Sequence, residues 1–304
     1  MTPPGPRAYV PLLSHGRVCV IDVSSRTLVD ALRVGESPYG VAVSPDGAHA
    51  YVTNFESGTV SVLDRAGDVV TATVPVGSGP GGIAVSPDGA SVYVTNYRGD
   101  DVCVLDPASL TVTHRIRVGR NPGHPAITPD GRRVYVSNYG GHDVSVVDTA
   151  TATVSTTLRT GTHPNGIVAA PDGTRVYVTH AQRRTGSVAV LDTRSDTVVG
   201  TFATPAGPFG IALTADGRRC FVGSYYTGTV VAVDTTHEPR TYARVAVGAN
   251  PENLAITPDG TEILVTNRES HSVSVIDAGT ATVTATIVLP GAPGGIAVGA
   301  PRHG

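Results

Sequence analysis

A repeat of 42–44 residues runs through the sequence and constrains its fold more than any other feature. Each copy opens with a proline and holds an aspartate that closes its third apolar run. The opening prolines are Pro38, Pro80, Pro122, Pro164, Pro208, Pro251 and Pro293. The aspartates are Asp22, Asp64, Asp106, Asp148, Asp192, Asp234 and Asp277. A fixed period in this range is typical of repeat architectures, so it has to be interpreted before any local pattern.

Each copy contains four short apolar runs separated by turn residues. In the second full copy these runs cover residues 82–86, 92–96, 101–105 and 112–118. They are rich in Val, Ile, Thr and Tyr, which predicts strands, and Ser-Pro-Asp-Gly at 86–89 is typical of a type I turn. No stretch shows a sustained helical period. Four strands in each of seven copies predict an all-β fold, a seven-bladed β-propeller with four antiparallel strands per blade.

The two ends of the chain complete one blade. The last copy stops after its first apolar run, within residues 293–298, and residues 8–35 supply the three missing runs. We therefore expect the last blade to be formed by both termini, which closes the ring and removes free sheet edges. Residues 1–304 are expected to form a single seven-bladed propeller domain.

A short motif within the repeat resembles a known family. Tyr-Val-Thr-Asn at 51–54 and 93–96, and Tyr-Val-Ser-Asn at 135–138, each follow a Ser/Thr-Pro-Asp-Gly turn. This pattern is similar to that of the YVTN family of β-propeller repeats, and the similarity covers about residues 8–298. That family includes surface-layer, electron-transfer-associated and unassigned proteins, so the resemblance implies a fold and leaves the activity open.

Composition excludes several classes of function. The net charge of −3 and the pI near 6.3 provide no basic surface for nucleic acid or an anionic membrane. There is no lysine, which excludes a Schiff-base or phosphate-loop lysine, and no nucleotide-cofactor motif is present. Cys19, Cys103 and Cys220 fall on strands of different blades and are expected to be free. Without a signal peptide or an apolar run long enough to span a membrane, the protein is expected to be a cytoplasmic monomer.

The two faces of the predicted propeller differ. One face, here called the turn face, carries nearly identical turns between first and second strands and between third and fourth strands. The other, here called the loop face, carries the loops between second and third strands and those between blades, and these loops diverge. Six of the ten histidines fall there. Because function concentrates on variable loops carried by a rigid scaffold, a site is expected on the loop face near the central channel.

Three histidines depart from the repeat or lie beside such a departure. His124 stands where other blades have Gly or Asn, His180 stands where most have Asn, and His163 precedes Pro164. These three are the candidate catalytic acid/base residues and are expected to converge at the channel mouth. They are also the candidate ligands of a single divalent metal ion, although no metal-binding motif is present. The alternative interpretation of each is a hydrogen-bonded rim histidine.

Other residues of the loop face could bind a substrate. Aromatic side chains could form the wall of a pocket, and arginines could bind a carboxylate or phosphate. The candidate substrate-binding residues are Tyr39, Arg120, Asn165, Arg183, Phe209, Tyr225, Glu252, Asn253 and Arg268. Tyr97 and Tyr139 could contribute to the same wall, but covering the seam between blades is the favoured interpretation for both. The seven aspartates that close the third runs are interpreted as turn formers.

Two functional hypotheses follow. The first is an enzyme that acts on a small organic molecule, of lyase, isomerase or cyclase type, or a hydrolase, with histidine acid/base chemistry in a pocket at the channel mouth. The second is a non-catalytic propeller that binds a protein or peptide on the same face. Converging histidines and the mild charge favour the first hypothesis. The absence of a nucleophile or metal motif keeps the second open.

Overall fold

The computed structural model describes residues 5–300, which form a ring of seven four-stranded antiparallel sheets. The chain begins with three strands, β1 (Arg7–Leu12), β2 (Arg17–Asp22) and β3 (Thr27–Arg33). Blade 1 consists of β4 (Pro38–Val43), β5 (His49–Asn54), β6 (Thr59–Asp64) and β7 (Val69–Pro75). Blade 2 consists of β8 (Pro80–Val85), β9 (Val92–Asn96), β10 (Asp101–Asp106) and β11 (Thr111–Arg117). Blade 3 consists of β12 (Pro122–Ile127), β13 (Arg133–Asn138), β14 (Asp143–Asp148) and β15 (Thr153–Leu158).

The remaining blades repeat this order. Blade 4 consists of β16 (Pro164–Ala169), β17 (Arg175–His180), β18 (Gly186–Asp192) and β19 (Thr197–Thr204). Blade 5 consists of β20 (Pro208–Leu213), β21 (Arg219–Ser224), β22 (Thr229–Asp234) and β23 (Arg240–Ala246). Blade 6 consists of β24 (Pro251–Ile256), β25 (Glu262–Asn267), β26 (Ser272–Asp277) and β27 (Thr282–Val288). The last strand, β28 (Ala297–Gly299), pairs with β1 and completes blade 7. The predicted seven-bladed fold and its closure by both ends are therefore confirmed. Residues 1–4 and 301–304 of the predicted domain lie outside the described residues.

The apolar core lies between neighbouring blades. Each second and third strand is almost wholly buried, whereas the outermost strands are mostly exposed or half-buried. Tyr9 and Val18 of blade 7, for example, pack in one cluster with Val52 and Leu63 of blade 1. Stacking each sheet on the next buries both of its faces, which explains why the inner strands are almost continuously apolar. No helix that could cross a membrane is found within residues 5–300.

The repeated polar residues have structural roles. In the first turn of blade 1, the Gly47 N–H donates to the Ser44 carbonyl oxygen at 2.8 Å, and Asp46 accepts from the Ser44 hydroxyl at 2.5 Å. All seven aspartates that close the third strands accept backbone N–H bonds from residues two or three positions later. They are turn formers, as predicted. The three cysteines are free and buried.

The closure at blade 7 is reinforced from the turn face. The Arg65 side chain is 1% exposed. Its guanidinium donates to the Gly47 and Ala300 carbonyl oxygens and to the Tyr9 hydroxyl. Arg65 therefore links the third strand of blade 1 to both the first and the last strands of the described chain. It joins the segments that the ring brings together from the two ends of the sequence.

Candidate functional site

A cavity of about 300 Å³ opens on the loop face at the mouth of the central channel. Its floor is built from one repeated position, the residue that follows each opening proline. The floor residues are Tyr39, Gly81, Gly123, Asn165, Phe209 and Glu252. The pairing between first and second strands is interrupted just after each of these prolines, for example between Pro38 and Val41. The residues between are released from the regular ladder and border the channel. We call this cavity the mouth pocket.

The wall of the mouth pocket comes from a second repeated position, the residue after the end of each second strand. In blades 1, 2, 3 and 5 this residue is aromatic, and in blade 6 it is Arg268; Tyr225 of blade 5 does not line the pocket. The wall residues are Phe55, Tyr97, Tyr139 and Arg268. The rings of Phe55 and Tyr97 are neighbours, with centroids 6.2 Å apart. Aromatic side chains therefore surround much of the pocket, a composition that suits an organic ligand.

Hydroxyl groups of the second strands hold the pocket floor. Thr53 Oγ1 donates to the Gly81 carbonyl oxygen of the next blade at 2.7 Å, and Ser137 Oγ donates to that of Asn165 at 2.6 Å. The equivalent residues of blades 5 and 7 are Gly223 and Pro11, which have no hydroxyl. The floor residues that follow those two blades are Glu252 and Tyr39. These two residues therefore lack a clamp that the other floor positions share.

Glu252 is the most unusual floor residue. Its side chain is 2% exposed, and its Oε2 atom has no hydrogen-bond partner among the described residues. The Arg268 guanidinium lies 3.5 Å from Oε2, with its side chain 41% exposed. Burial raises the pKa of the Glu252 carboxyl, and the charge of Arg268 only partly offsets this effect. A carboxyl group with an unsatisfied oxygen thus lies at the bottom of an aromatic pocket.

Tyr39 connects Glu252 to the opposite side of the pocket. Burial, followed by the neighbouring Glu252 carboxyl, raises the pKa of the Tyr39 phenol well above its usual value. The ring centroids of Tyr39 and His124 lie 6.2 Å apart. Blade 1 therefore contributes a phenol that approaches both a carboxyl from blade 6 and an imidazole from blade 3.

His124 lies in the mouth pocket, as predicted. Most equivalent positions hold glycines that pack tightly against the next blade; a Cβ atom added to Gly82, for example, would collide with the Gly123 carbonyl oxygen. Burial lowers the pKa of His124 to about 4. Its imidazole is consequently neutral near pH 7 and can accept a proton through one ring nitrogen and donate through the other.

His180 and His163 do not line the mouth pocket, so the predicted convergence of the three histidines is not observed. His180 is 1% exposed, and its ring nitrogens lie 3.2 Å from the hydroxyls of Ser187 and Thr160. It takes over the role of the strand-end asparagines: the Asn138 amide, for example, donates to Asp143 and Ser145. The cause is strand geometry, because a residue at the end of a second strand points into the blade rather than toward the channel.

His163 lies on the loop face outside the mouth pocket. Its backbone N–H donates to His142 Nδ1 at 3.1 Å, and its ring lies 4.7 Å from that of His142 and 4.8 Å from that of Tyr139. The predicted three-histidine metal site is not assembled. Within residues 5–300, no group of three or more His, Cys, Asp or Glu side chains is arranged to hold a metal ion.

The candidate substrate-binding residues divide into two groups. Tyr39, Asn165, Phe209, Glu252 and Arg268 line the mouth pocket. Arg120, Arg183, Tyr225 and Asn253 do not line it. The Arg120 guanidinium donates to the Gly140 carbonyl oxygen at 2.7 Å, and that of Arg183 lies over the exposed ring of Tyr226. Tyr225 packs on the Phe209 ring at 4.9 Å and so supports the pocket from behind.

Phe55, Tyr97 and Tyr139 are the pocket residues that sequence analysis undervalued. The sequence pattern does not single out Phe55, and it favours a role for the other two in covering the seams between blades. A usable signal was present, because all three occupy the repeat position that holds Arg268 in blade 6. The position alone does not decide the outcome, because Tyr225 occupies it in blade 5 and does not line the pocket.

Comparisons with known proteins agree with this architecture. The profile of a family described as "YNCE-like beta-propeller" matches residues 85–185. No curated protein sequence matches the chain. A structure titled "Kuenenia stuttgartiensis Hydrazine Synthase" is 23% identical, with a TM-score of 0.81 over 91% of this chain and 96% of that chain. A protein from Desulfotomaculum acetoxidans, described as functionally unknown, has a TM-score of 0.87 at 15% identity over 97% and 99% of the two chains. The dihydro-heme d1 dehydrogenase NirN has a TM-score of 0.72 at 16% identity over 96% and 74%. These similarities show that the chain has the β-propeller fold.

Proposed function

We propose that the protein binds a small organic molecule in the mouth pocket and catalyses proton transfer on it, in a reaction of lyase, isomerase or cyclase type. The observation that carries this proposal is the buried, unsatisfied Glu252 carboxyl beneath aromatic walls. Ligand pockets typically combine an apolar lining with a few convergent polar groups. Propellers of similar shape include hydrazine synthase and the dihydro-heme d1 dehydrogenase NirN, which supports a role with a small molecule.

The two titratable groups of the pocket suit acid/base chemistry. Burial raises the pKa of Glu252 and lowers that of His124 to about 4. Near neutral pH, the imidazole of His124 is therefore unprotonated and can accept a proton from a bound molecule. In both groups burial favours the neutral form. Tyr39 lies near both groups and can hydrogen-bond a ligand between them.

Filling the pocket tests the binding part of the proposal. A Cβ atom added to Gly81 would meet only ordinary contacts, with Thr95 Oγ1 at 3.8 Å and the Gly123 carbonyl oxygen at 3.9 Å. Gly81→Leu should therefore fold normally while filling the cavity. Gly200→Leu is the matched control, since a Cβ at Gly200 meets nothing within 4 Å and that residue is exposed on an outer strand. A fragment library screened by saturation-transfer NMR should give compounds that bind wild type and Gly200→Leu but are lost with Gly81→Leu. Compounds that bind all three proteins equally would contradict the proposal.

The catalytic part is tested on the compounds that pass this screen. In D₂O, a proton removed from a carbon of the ligand is replaced by deuterium from solvent. We expect wild-type protein to catalyse this exchange at one position, and His124→Ala to reduce its rate by about 10²–10⁴-fold, as for a general base. Binding without catalysed exchange would reduce the proposal to a binding protein.

One observation favours the alternative of a protein-binding face. Tyr226 is 45% exposed on the loop face, with Arg183 against its ring at 5.6 Å. Exposed aromatic and arginine side chains are enriched in protein interfaces. On this hypothesis Tyr226→Ala would abolish partner binding, whereas Gly81→Leu would leave it unchanged.

A further inference from the structure

One oxygen of the Glu252 carboxyl lacks the hydrogen bond that a buried group of its kind normally makes. Its Oε2 atom is buried without a hydrogen-bond partner among the described residues, although the great majority of buried polar atoms are paired. Arg268 approaches to 3.5 Å, but its side chain extends partly into solvent. Because Glu252 also lines the mouth pocket, a molecule that enters this pocket could supply the missing donor.

The walls of the mouth pocket favour a positive charge on that ligand. Five aromatic side chains line the cavity, and the negative faces of aromatic rings attract cations. They are Tyr39, Phe55, Tyr97, Tyr139 and Phe209. The Phe55 ring already has the Arg98 guanidinium 4.6 Å from its centroid, so the attraction of a ligand cation depends on the other four rings. Among residues 5–300, Arg268 is the only arginine in the lining, and it is already next to Glu252. An anionic ligand bound to Arg268 would lie beside the Glu252 carboxyl and leave Oε2 unsatisfied.

We propose that the mouth pocket takes an organic ammonium ion, a small amine whose N–H group donates to Glu252 Oε2 and whose charge lies against the aromatic walls. This inference rests on the proposed small-molecule function and deepens it. Because the unsatisfied oxygen needs a donor, a primary, secondary or tertiary amine fits and a quaternary ammonium does not. The cavity of about 300 Å³ limits the ligand to a small molecule. On this assignment Glu252 anchors the ligand as a carboxylate, and His124 is the group that exchanges protons with its carbon skeleton.

Four phenyl compounds of similar size but different charge test whether the pocket prefers a cation. They are 2-phenylethylamine, its neutral analogue 2-phenylethanol, the anion 3-phenylpropanoate and the N,N,N-trimethyl quaternary form of the amine. We expect titration calorimetry at pH 7.5 to show binding of the amine at least about tenfold tighter than of the alcohol, because hydrogen bonds to charged groups are worth about 10–100-fold in affinity. The quaternary form should lose most of this advantage, and the anion should be the weakest ligand.

Variants then locate the effect. Glu252→Gln keeps the shape of the side chain and removes its charge, so it should weaken amine binding by about tenfold or more while leaving the alcohol unchanged. Glu238→Gln, at an exposed glutamate on the turn face, is the matched control and should change neither. Equal or tighter binding of the alcohol or the anion to wild type, or an amine affinity unaffected by Glu252→Gln, would overturn the ammonium assignment. Absence of amine binding to wild type would overturn it too. If fragments still bound to wild type and lost binding in Gly81→Leu, the proposal of a small-molecule pocket would remain supported. Failure of the ammonium assignment can therefore be distinguished from failure of the proposed function.

Discussion

His180→Asn is a direct test of how the strand-end position works. The variant restores the residue that blades 1, 2, 3 and 6 have at this position. In the wild type, the imidazole packs under Gly161, whose φ of +146° and absent side chain leave room for the ring. Ala189 stands where other blades have a serine that bonds the asparagine, such as Ser145. The histidine is therefore built into the blade as a buried, neutral group.

The pH dependence of stability follows from this burial. Burial lowers the pKa of His180 from 6.5 to about 4. Between these two values the unfolded chain binds a proton that the folded chain does not, so stability falls as pH falls. The shift corresponds to about 3 kcal/mol of unfolding free energy at about 1.36 kcal/mol per unit. This contribution is fully present above pH 6.5 and is lost as pH falls through about 4.

Urea unfolding of wild type and His180→Asn at pH 7 and pH 4 measures this contribution. At pH 7 we expect the variant to be less stable by about 1–2 kcal/mol, because its smaller side chain fills the space less well. Between pH 7 and pH 4 the difference should shift by about 3 kcal/mol in favour of the variant. His237→Asn, at an exposed histidine on the turn face, should show no such shift. A difference that does not depend on pH would refute the interpretation of His180 as a buried neutral residue.

Two further predictions concern ring closure and the cysteines. Arg65→Ala should lower the free energy of unfolding in urea by about 2–5 kcal/mol, because it leaves buried carbonyl groups without a hydrogen-bond donor. Arg98→Ala, which removes an exposed ion pair with Glu56, should lower it by no more than about 1 kcal/mol. Equal losses of stability in the two variants would contradict the proposed role of Arg65 in closure. Burial raises the pKa of the Cys19 thiol to about 11 and that of Cys103 to about 12, and also raises that of Cys220. We therefore expect none of the three thiols to react with a disulfide reagent in the native protein at pH 8, and all three to react in guanidinium. Rapid labelling of the native protein would contradict this prediction and show that a blade opens.

The repeat predicted the fold because every blade has the same order of strand-forming runs and turn sequences. Strand-forming runs, turn sequences and the split seventh blade are all visible in the order of residues, and the structure confirms them. The candidate site was predicted less completely, because His124 and His180 both depart from the repeat and the sequence does not show which of them faces the channel. His124 lies on an innermost strand beside the channel, whereas His180 ends a second strand and is enclosed in its blade. Which way a side chain points depends on its strand and on where pairing is interrupted, and the residue type alone does not indicate it.

The distances across the channel are a second property that sequence analysis could not supply. Tyr39 and Glu252 are separated by most of the chain, yet they meet in one pocket, where the Glu252 carboxyl helps to raise the pKa of the Tyr39 phenol. They meet because blades 1 and 6 are the two neighbours of blade 7, which the ends of the chain complete together. They are also the floor residues that no second-strand hydroxyl clamps, since Pro11 and Gly223 replace the hydroxyl residue in the preceding blades. The polar residues Tyr39 and Glu252 of the pocket therefore lie on either side of blade 7, the seam where the ring closes. Because Arg65 secures that seam from the opposite face, the closure of the ring and the geometry of the pocket depend on the same blade.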